Sequence, residues 1–333
     1  MNGSNTHARW LTPAAVLALL AMTGCEAPPP QSTQQGFRGT GMVDVVQADD
    51  VAERKAMQTV PAPLPAVPDG GPLAGEIYSN VQVLGDLSIG EFTRTMTAIT
   101  AWVSPEQGCA YCHEGADMAS DSLYTKVVSR RMLEMTRDIN ANAHVGAVGV
   151  TCYTCHRGQN VPENIWYKAT PEDAFFVGNR DGQNQPSAVP QYAALPVDPF
   201  SDMLDGTAAI RVVSTAALPN GNPRNIKDTE ATYGLMMHLS EALGANCTFC
   251  HNSRSFTAWD QSPPARVTAW HGIQMVRGLN TDYLAPLGSV LPAHRLGETG
   301  DAPKANCATC HQGQRKPLDG VSMLQDYPAL QSR

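Results

Sequence analysis

Cys109-Ala-Tyr-Cys112-His113, Cys152-Tyr-Thr-Cys155-His156, Cys247-Thr-Phe-Cys250-His251 and Cys307-Ala-Thr-Cys310-His311 repeat one five-residue unit four times. C-x-x-C-H is the attachment signature of c-type haem. Two thiols three positions apart can add to the two vinyl groups of one porphyrin, and the adjacent histidine then supplies the proximal nitrogen to iron. Structural zinc also uses CxxC pairs with histidine, but identical five-residue units are an odd way to build tetrahedral sites. A disulfide framework does not require a fixed three-residue step between cysteines. Four covalently bound haems are therefore expected, attached through Cys109, Cys112, Cys152, Cys155, Cys247, Cys250, Cys307 and Cys310. His113, His156, His251 and His311 are the proximal ligands.

Eight of the nine cysteines are thereby used, and Cys25 stands apart. Before it, His7 and Arg9 form a weak polar region, Trp10 to Met22 is apolar, and Leu20-Ala-Met-Thr-Gly-Cys25 looks like a bacterial lipobox. The apolar stretch falls short of the roughly 20 residues a membrane span needs. Residues 1–24 are read as a lipoprotein signal peptide and Cys25 as the lipidated first residue of the mature chain. Its removal takes away Arg9 and no acidic residue, so the net charge of −8 becomes −9. A proline-stiffened polar tether follows to Gln35, and a second Pro-rich stretch, Pro61 to Pro72, reads as draped over a surface. No cysteine is left for a disulfide.

The 333 residues are 42% hydrophobic, enough for a core, but only 6% aromatic. Porphyrins account for that, because each fills core volume that aromatic rings would otherwise occupy. The acidic balance argues against nucleic-acid binding. Helical character is expected over Ile89–Trp102, ended by Ser104-Pro105, over Tyr124–Asn140, and over Thr229–Leu243, stopped by Gly244. The recurring unit is a helix, a turn, then CxxCH. Such a helix can offer methionine to iron while the following loop brings histidine from the other face. Spacing does not choose between Met132 and Met135, or between Met236 and Met237. Aligning Met135 with Met275 also aligns Arg137 with Arg277 and Asn140 with Asn280, which suggests an internal duplication with two haems per half. On that alignment Gly272 falls opposite Met132. The fold class is mainly α with extensive loops, built from repeated helix–turn–CxxCH units in pseudo-twofold halves. Expected divisions are 25–75 for the anchored and draped segment, 76–177 for the first half, 178–225 for a connector and 226–333 for the second half.

Phe92-Thr-Arg-Thr-Met-Thr-Ala-Ile-Thr-Ala-Trp-Val-Ser-Pro-Glu-Gln-Gly-Cys109, Arg130-Arg-Met-Leu-Glu-Met-Thr-Arg137, Gly149-Val-Thr-Cys-Tyr-Thr-Cys-His-Arg-Gly158 and Asn246-Cys-Thr-Phe-Cys-His-Asn252 carry a resemblance. So does Gly36-Phe-Arg-Gly39. Together they resemble the tetrahaem cytochrome c subunit of the purple-bacterial photosynthetic reaction centre over nearly the whole mature chain. The resemblance implies axial Met96, Met132 and Met236 for the haems of motifs one, two and three. It implies His144 for the fourth, with His271, His294 and Met275 as alternatives. The implied role is electron transfer, not enzymatic catalysis. Electrons would pass from a soluble cytochrome c or high-potential iron–sulfur protein to the photo-oxidised bacteriochlorophyll dimer, through a subunit seated on the L and M subunits. That places the chain at the periplasmic face of the photosynthetic membrane, held by its lipid anchor. In such proteins the third-motif haem lies nearest the dimer, the first-motif haem is most distal, and high and low potentials alternate. The rivals are a periplasmic multihaem reductase or peroxidase, with His238, His271 or His294 as acid–base groups, and a free-standing electron shuttle.

Overall fold

The computed structural model describes residues 29–35, 42–68, 70–142, 144, 148–169, 182–184, 192–213 and 224–331. The signal peptide, Cys25 and Gly36–Gly39 lie outside them. The chain is mainly helical with long irregular connections. No helix among the described residues is long and apolar enough to cross a membrane.

Three long helices lie where periodicity and punctuation place them. Helix α3, Ile89–Val103, follows α1, Ala48–Ala56, and the short α2, Ala74–Ile77. It starts at Ser88, whose Oγ accepts from the amide of Glu91 at 3.2 Å, so one of the unpaired first-turn donors is satisfied. It buries Arg94, Thr95, Ala98 and Trp102, one face of a 3.6-residue repeat. Helix α4 covers Tyr124–Ala141, and α5, Cys152–His156, is the second motif itself. Helix α6, Ile226–Leu243, begins at Asn225, whose side chain accepts from Lys227 and Asp228 amides. It stops at Gly244, where φ is +56°, a left-handed turn that glycine adopts without steric cost. Helix α7, Ala265–Gly278, carries the segment aligned with α4, and α8, Cys307–His311, is the fourth motif.

Two apolar clusters organise these helices. In the first, Ala98 and Trp102 of α3 and Leu133 of α4 pack with Leu84, Leu87, Leu318, Met323, Leu324, Tyr327 and Leu330. Leu318, Met323, Leu324, Tyr327 and Leu330 thus lie in the core of α3 and α4, although the sequence division groups them with the second half. Arg94 ties them in, donating to the carbonyls of Leu64, Pro65 and Asp326 with its guanidinium 4.3 Å from the Tyr327 ring centre. The second cluster joins Leu235 of α6 and Ile273 and Val276 of α7 to Met203, Leu204 and Trp166.

The N-terminal segment departs from a plain tether. Strand β1, Gln31–Gln35, pairs antiparallel with β2, Met42–Val46, Gln31 opposite Val46 and Gln35 opposite Met42. The β-branched run of β2 supplies the strand preference that the Gln/Ser/Thr stretch lacks by itself. Farther on, Gln58 is buried and donates to the carbonyl of Gln312 while accepting from the amide of Leu318, so this arm crosses the chain's C-terminal part.

Leu330 is fully buried at the far end of the chain. Leu330→Ala should destabilise the protein by about 2–5 kcal/mol, measured as a lower denaturant midpoint, despite lying only three residues from the C-terminus.

Candidate haem-binding site

The four motifs fold in two styles. Motifs two and four are single helical turns, α5 and α8, each starting at a polar cap: the Thr151 amide donates to Thr154 Oγ1, and the Asn306 amide to Thr309 Oγ1. Each ends on a left-handed residue, Arg157 or Gln312, followed by a positive-φ glycine, Gly158 or Gly313. The Gly158 amide then donates to Trp102 O at 2.8 Å, and the Gly313 amide to Ala242 O at 2.9 Å. Motifs one and three are 3₁₀ turns at Gly108–Tyr111 and Cys247–Phe249.

Every motif histidine has one ring nitrogen fixed by the backbone. Nδ1 of His113 donates to Met118 O at 3.0 Å and Nδ1 of His251 to Phe256 O at 2.9 Å, both five residues downstream. For His156 and His311 the acceptors are Gln159 O at 2.9 Å and Gln314 O at 2.8 Å, three residues downstream. A metal-binding histidine typically donates its second N–H in this way, which fixes the tautomer and leaves Nε2 for the metal. Burial holds His156 and His311 below the usual histidine pKa, favouring the neutral, ligating form. It also pushes the thiols of Cys152 and Cys307 up to about 12 and that of Cys250 to about 11.

A cavity of about 1230 Å³ runs through the molecule, larger than the about 300–1,000 Å³ of one ordinary cofactor site. The cysteines and histidines of motifs one, two and four line it, as do Met96, Met132 and His144; motif three reaches it through Phe249 and Cys250. Its size, apolar walls and fixed imidazoles suit several flat apolar rings. Met135, Met275 and His271 line it too, and the His271 ring stacks on His144 with centroids 3.5 Å apart. Met236 packs against the second apolar cluster, whereas Met237 lines a separate cavity of about 370 Å³ with His238.

The structure joins Cys155 to Cys310 as a disulfide, their Cα atoms 4.6 Å apart. Those sulfurs cannot be disulfide and thioether at once, so here the structure departs from the expectation that no cysteine is left for one. The cause is packing: α5 rests on α8 and brings the second cysteine of each motif together.

Histidines proposed for an acid–base site do not converge. His271 lies beside His144, His294 sits on the exposed turn Ala293–Arg295, and His238 is in the smaller cavity. Burial pushes His238 down to about 4, and the Phe200 ring meets it edge-on at 4.7 Å.

Residues matched between α4 and the α7 segment both anchor the backbone. The Asn140 amide group donates to Val150 O and Leu330 O while its Oδ1 accepts from Val150; that of Asn280 donates to Leu204 O and Ala305 O while its Oδ1 accepts from Ala305. Arg137 donates to Val83 O and Ala329 O, and Arg277 to Met203 O and Ala208 O. The asparagine anchors tie each helix end to the segment entering the next motif, at Val150 and Ala305, and are visible in sequence only as matched spacing. Sequence reasoning missed Arg295, whose guanidinium reaches Tyr111 Oη at 3.3 Å and Tyr124 Oη at 3.4 Å on the cavity wall.

Residues 26–331 match the family described as photosynthetic reaction centre cytochrome C subunit. The chain is 52% identical over 321 residues to the photosynthetic reaction center cytochrome c subunit of Rubrivivax gelatinosus, covering 95% of this chain and 87% of that one. It is 50% identical to that of Thermochromatium tepidum, covering 95% and 78%, and 44% identical to that of Roseobacter denitrificans, covering 90% and 85%. The chain belongs to the photosynthetic reaction centre cytochrome c subunit family.

Proposed function

We propose that the chain holds four haems in a row and conducts electrons from a soluble periplasmic carrier to the photo-oxidised bacteriochlorophyll dimer, docked on the L and M subunits. The observation that carries this is the fourfold fixing of a CxxCH imidazole through Nδ1. Bound haem supplies a reversible one-electron couple. The chain's part is to hold each ring by two sulfurs, ligate its iron on both faces and keep water off its edges. His113, His156, His251 and His311, together with Met96, Met132, Met236 and His144, would hold the irons. Two side chains given to each iron would favour outer-sphere transfer over a reductase or peroxidase.

Element contacts support a spatial order of motifs one, two, four and three. Helix α3 touches both the first motif's turn and α5, α5 touches α8, and α8 packs on α6, which leads into motif three. Shared anchors of Asn140 and Asn280, and of Gly158 and Gly313, support two halves related by a pseudo-twofold between motifs two and four. A carrier docking near motif one would then lie farthest from the dimer at motif three. Cys25, acylated, would hold the chain at the periplasmic face of the membrane.

Cys155 and Cys310 belong on this reading to two neighbouring haems, so the loaded protein has no disulfide between them. Its intact mass should equal the processed chain plus acyl groups plus four haems, with no alkylatable thiol after reduction; a Cys155–Cys310 peptide in the digest would contradict it. Replacing a thioether ligand by imidazole lowers a haem potential. Met236→His should therefore lower one of four potentials by at least about 59 mV, a tenfold one-electron shift, in a redox titration. An unchanged set would remove Met236 from the ligands. Flash excitation of native membranes tests the role itself: haem should be oxidised within microseconds to milliseconds, and a silent haem band would refute it.

A further inference from the structure

Strand β2 turns the usual inside–outside pattern round. Val43 and Val45 are exposed, while Asp44 between them is 1% exposed. A carboxylate is rarely buried unless it is paired, since desolvation costs several kcal/mol. The partner is the guanidinium of Arg315, four residues past His311, which makes an ion pair with Asp44 Oδ2. Neither Asp44 oxygen has a further hydrogen bond among the described residues, so this cation is what compensates it.

The pair sits against the third motif. Arg315 lies 4.4 Å from the ring centre of Phe249, inside Cys247-Thr-Phe-Cys250. Thr248 Oγ1 donates to Val43 O at 2.7 Å and fixes the strand to the same turn. A buried anion, a half-buried cation and the motif that attaches one haem are thus locked together by three elements far apart in sequence.

We propose that Asp44 and Arg315 act as a charge pair that sets the reduction potential of the third-motif haem. Reduction adds one negative charge to the haem. A nearby cation therefore stabilises the reduced form and a nearby anion opposes it, with little salt screening at a buried site. Asp44 neutralises Arg315 and keeps the potential below the value the bare guanidinium would impose. It is a positioning residue, since it acts through Arg315 and touches no haem-attaching cysteine or histidine. The inference rests on the reading that motif three carries haem, but not on which methionine ligates it.

The test uses the full haem-loaded protein, with a haem count and a potentiometric titration of each variant. Asp44→Asn should raise one potential, lowering that haem's oxidised-to-reduced ratio at fixed ambient potential about threefold or more. Arg315→Gln should move the same haem the opposite way, and Asp44→Glu should restore the wild-type value. The haem concerned is the one missing from a Cys247→Ser/Cys250→Ser chain. Four unchanged potentials, shifts of the same sign in both single variants, or a shift on another haem would overturn the proposal. Where Asp44→Asn fails to load, Arg315→Gln reads the pair alone, and an unmoved potential there overturns it too. A wild-type count of three haems with Cys247 and Cys250 alkylatable would instead defeat the reading that motif three holds haem.

Discussion

Each motif histidine is held in one tautomer by a single backbone carbonyl, and the local folding of each motif follows from where that carbonyl lies. The acceptor is always a backbone carbonyl just downstream of the CxxCH unit. In motifs two and four the chain has only three residues in which to bring that carbonyl back. It does so with a left-handed residue and a positive-φ glycine, Arg157-Gly158 and Gln312-Gly313. The tight return then aims the glycine amide at the end of the preceding long helix, at Trp102 or Ala242. The histidine's hydrogen bond thus becomes a packing constraint, and α3 and α6 are each moored to a motif that is not the next one in sequence. Motifs one and three, with five residues available, make no such sharp return and stay as 3₁₀ turns.

That mooring explains which parts of the molecule can be read from sequence. Ser104-Pro105 and Gly244 are local signals, and α3 and α6 stop where those signals put them, although α6 starts at Ile226, three residues before the expected Thr229. The motif residues are legible because haem attachment is written in five consecutive positions. The return of Leu324, Tyr327 and Leu330 to the core of α3 and α4 has no local signature, since they would suit either half equally well. Asp44 is similarly opaque: a charge between two valines reads as an exposed loop or edge, and only its distant partner Arg315 makes burial tolerable. Met236 and Met237 are adjacent, so helical periodicity distinguishes their directions but not their neighbours. Packing does: one adjoins the cluster around Leu235, the other the cavity beside His238.

Among the positions matched between α4 and the α7 segment, one lacks a candidate ligand, and its loss has a physical logic. Asn140 and Asn280 each bond twice to the segment entering the next motif, at Val150 and Ala305, so α4 and α7 hold comparable places relative to the motifs they precede. Met132 on α4 nonetheless corresponds to Gly272 on α7, which has no side chain to offer. A Cβ added at Gly272 would meet nothing within 4 Å, so the glycine is not forced by crowding of its own backbone. Glycine inside a helix costs roughly 0.5–1 kcal/mol relative to alanine. Its use there leaves room above the helix, next to His271, whose ring stacks on His144. On the proposed ligand set that room admits His144 from the loop after α4, so that the first half donates the sixth ligand of a haem attached to the second. A methionine at 272 would fill the same space with a thioether and make the two halves alike. On that ligand set an imidazole reached from the loop after α4 would give the fourth site a lower potential than a thioether. That site would then depend on α4 and α7 being packed together.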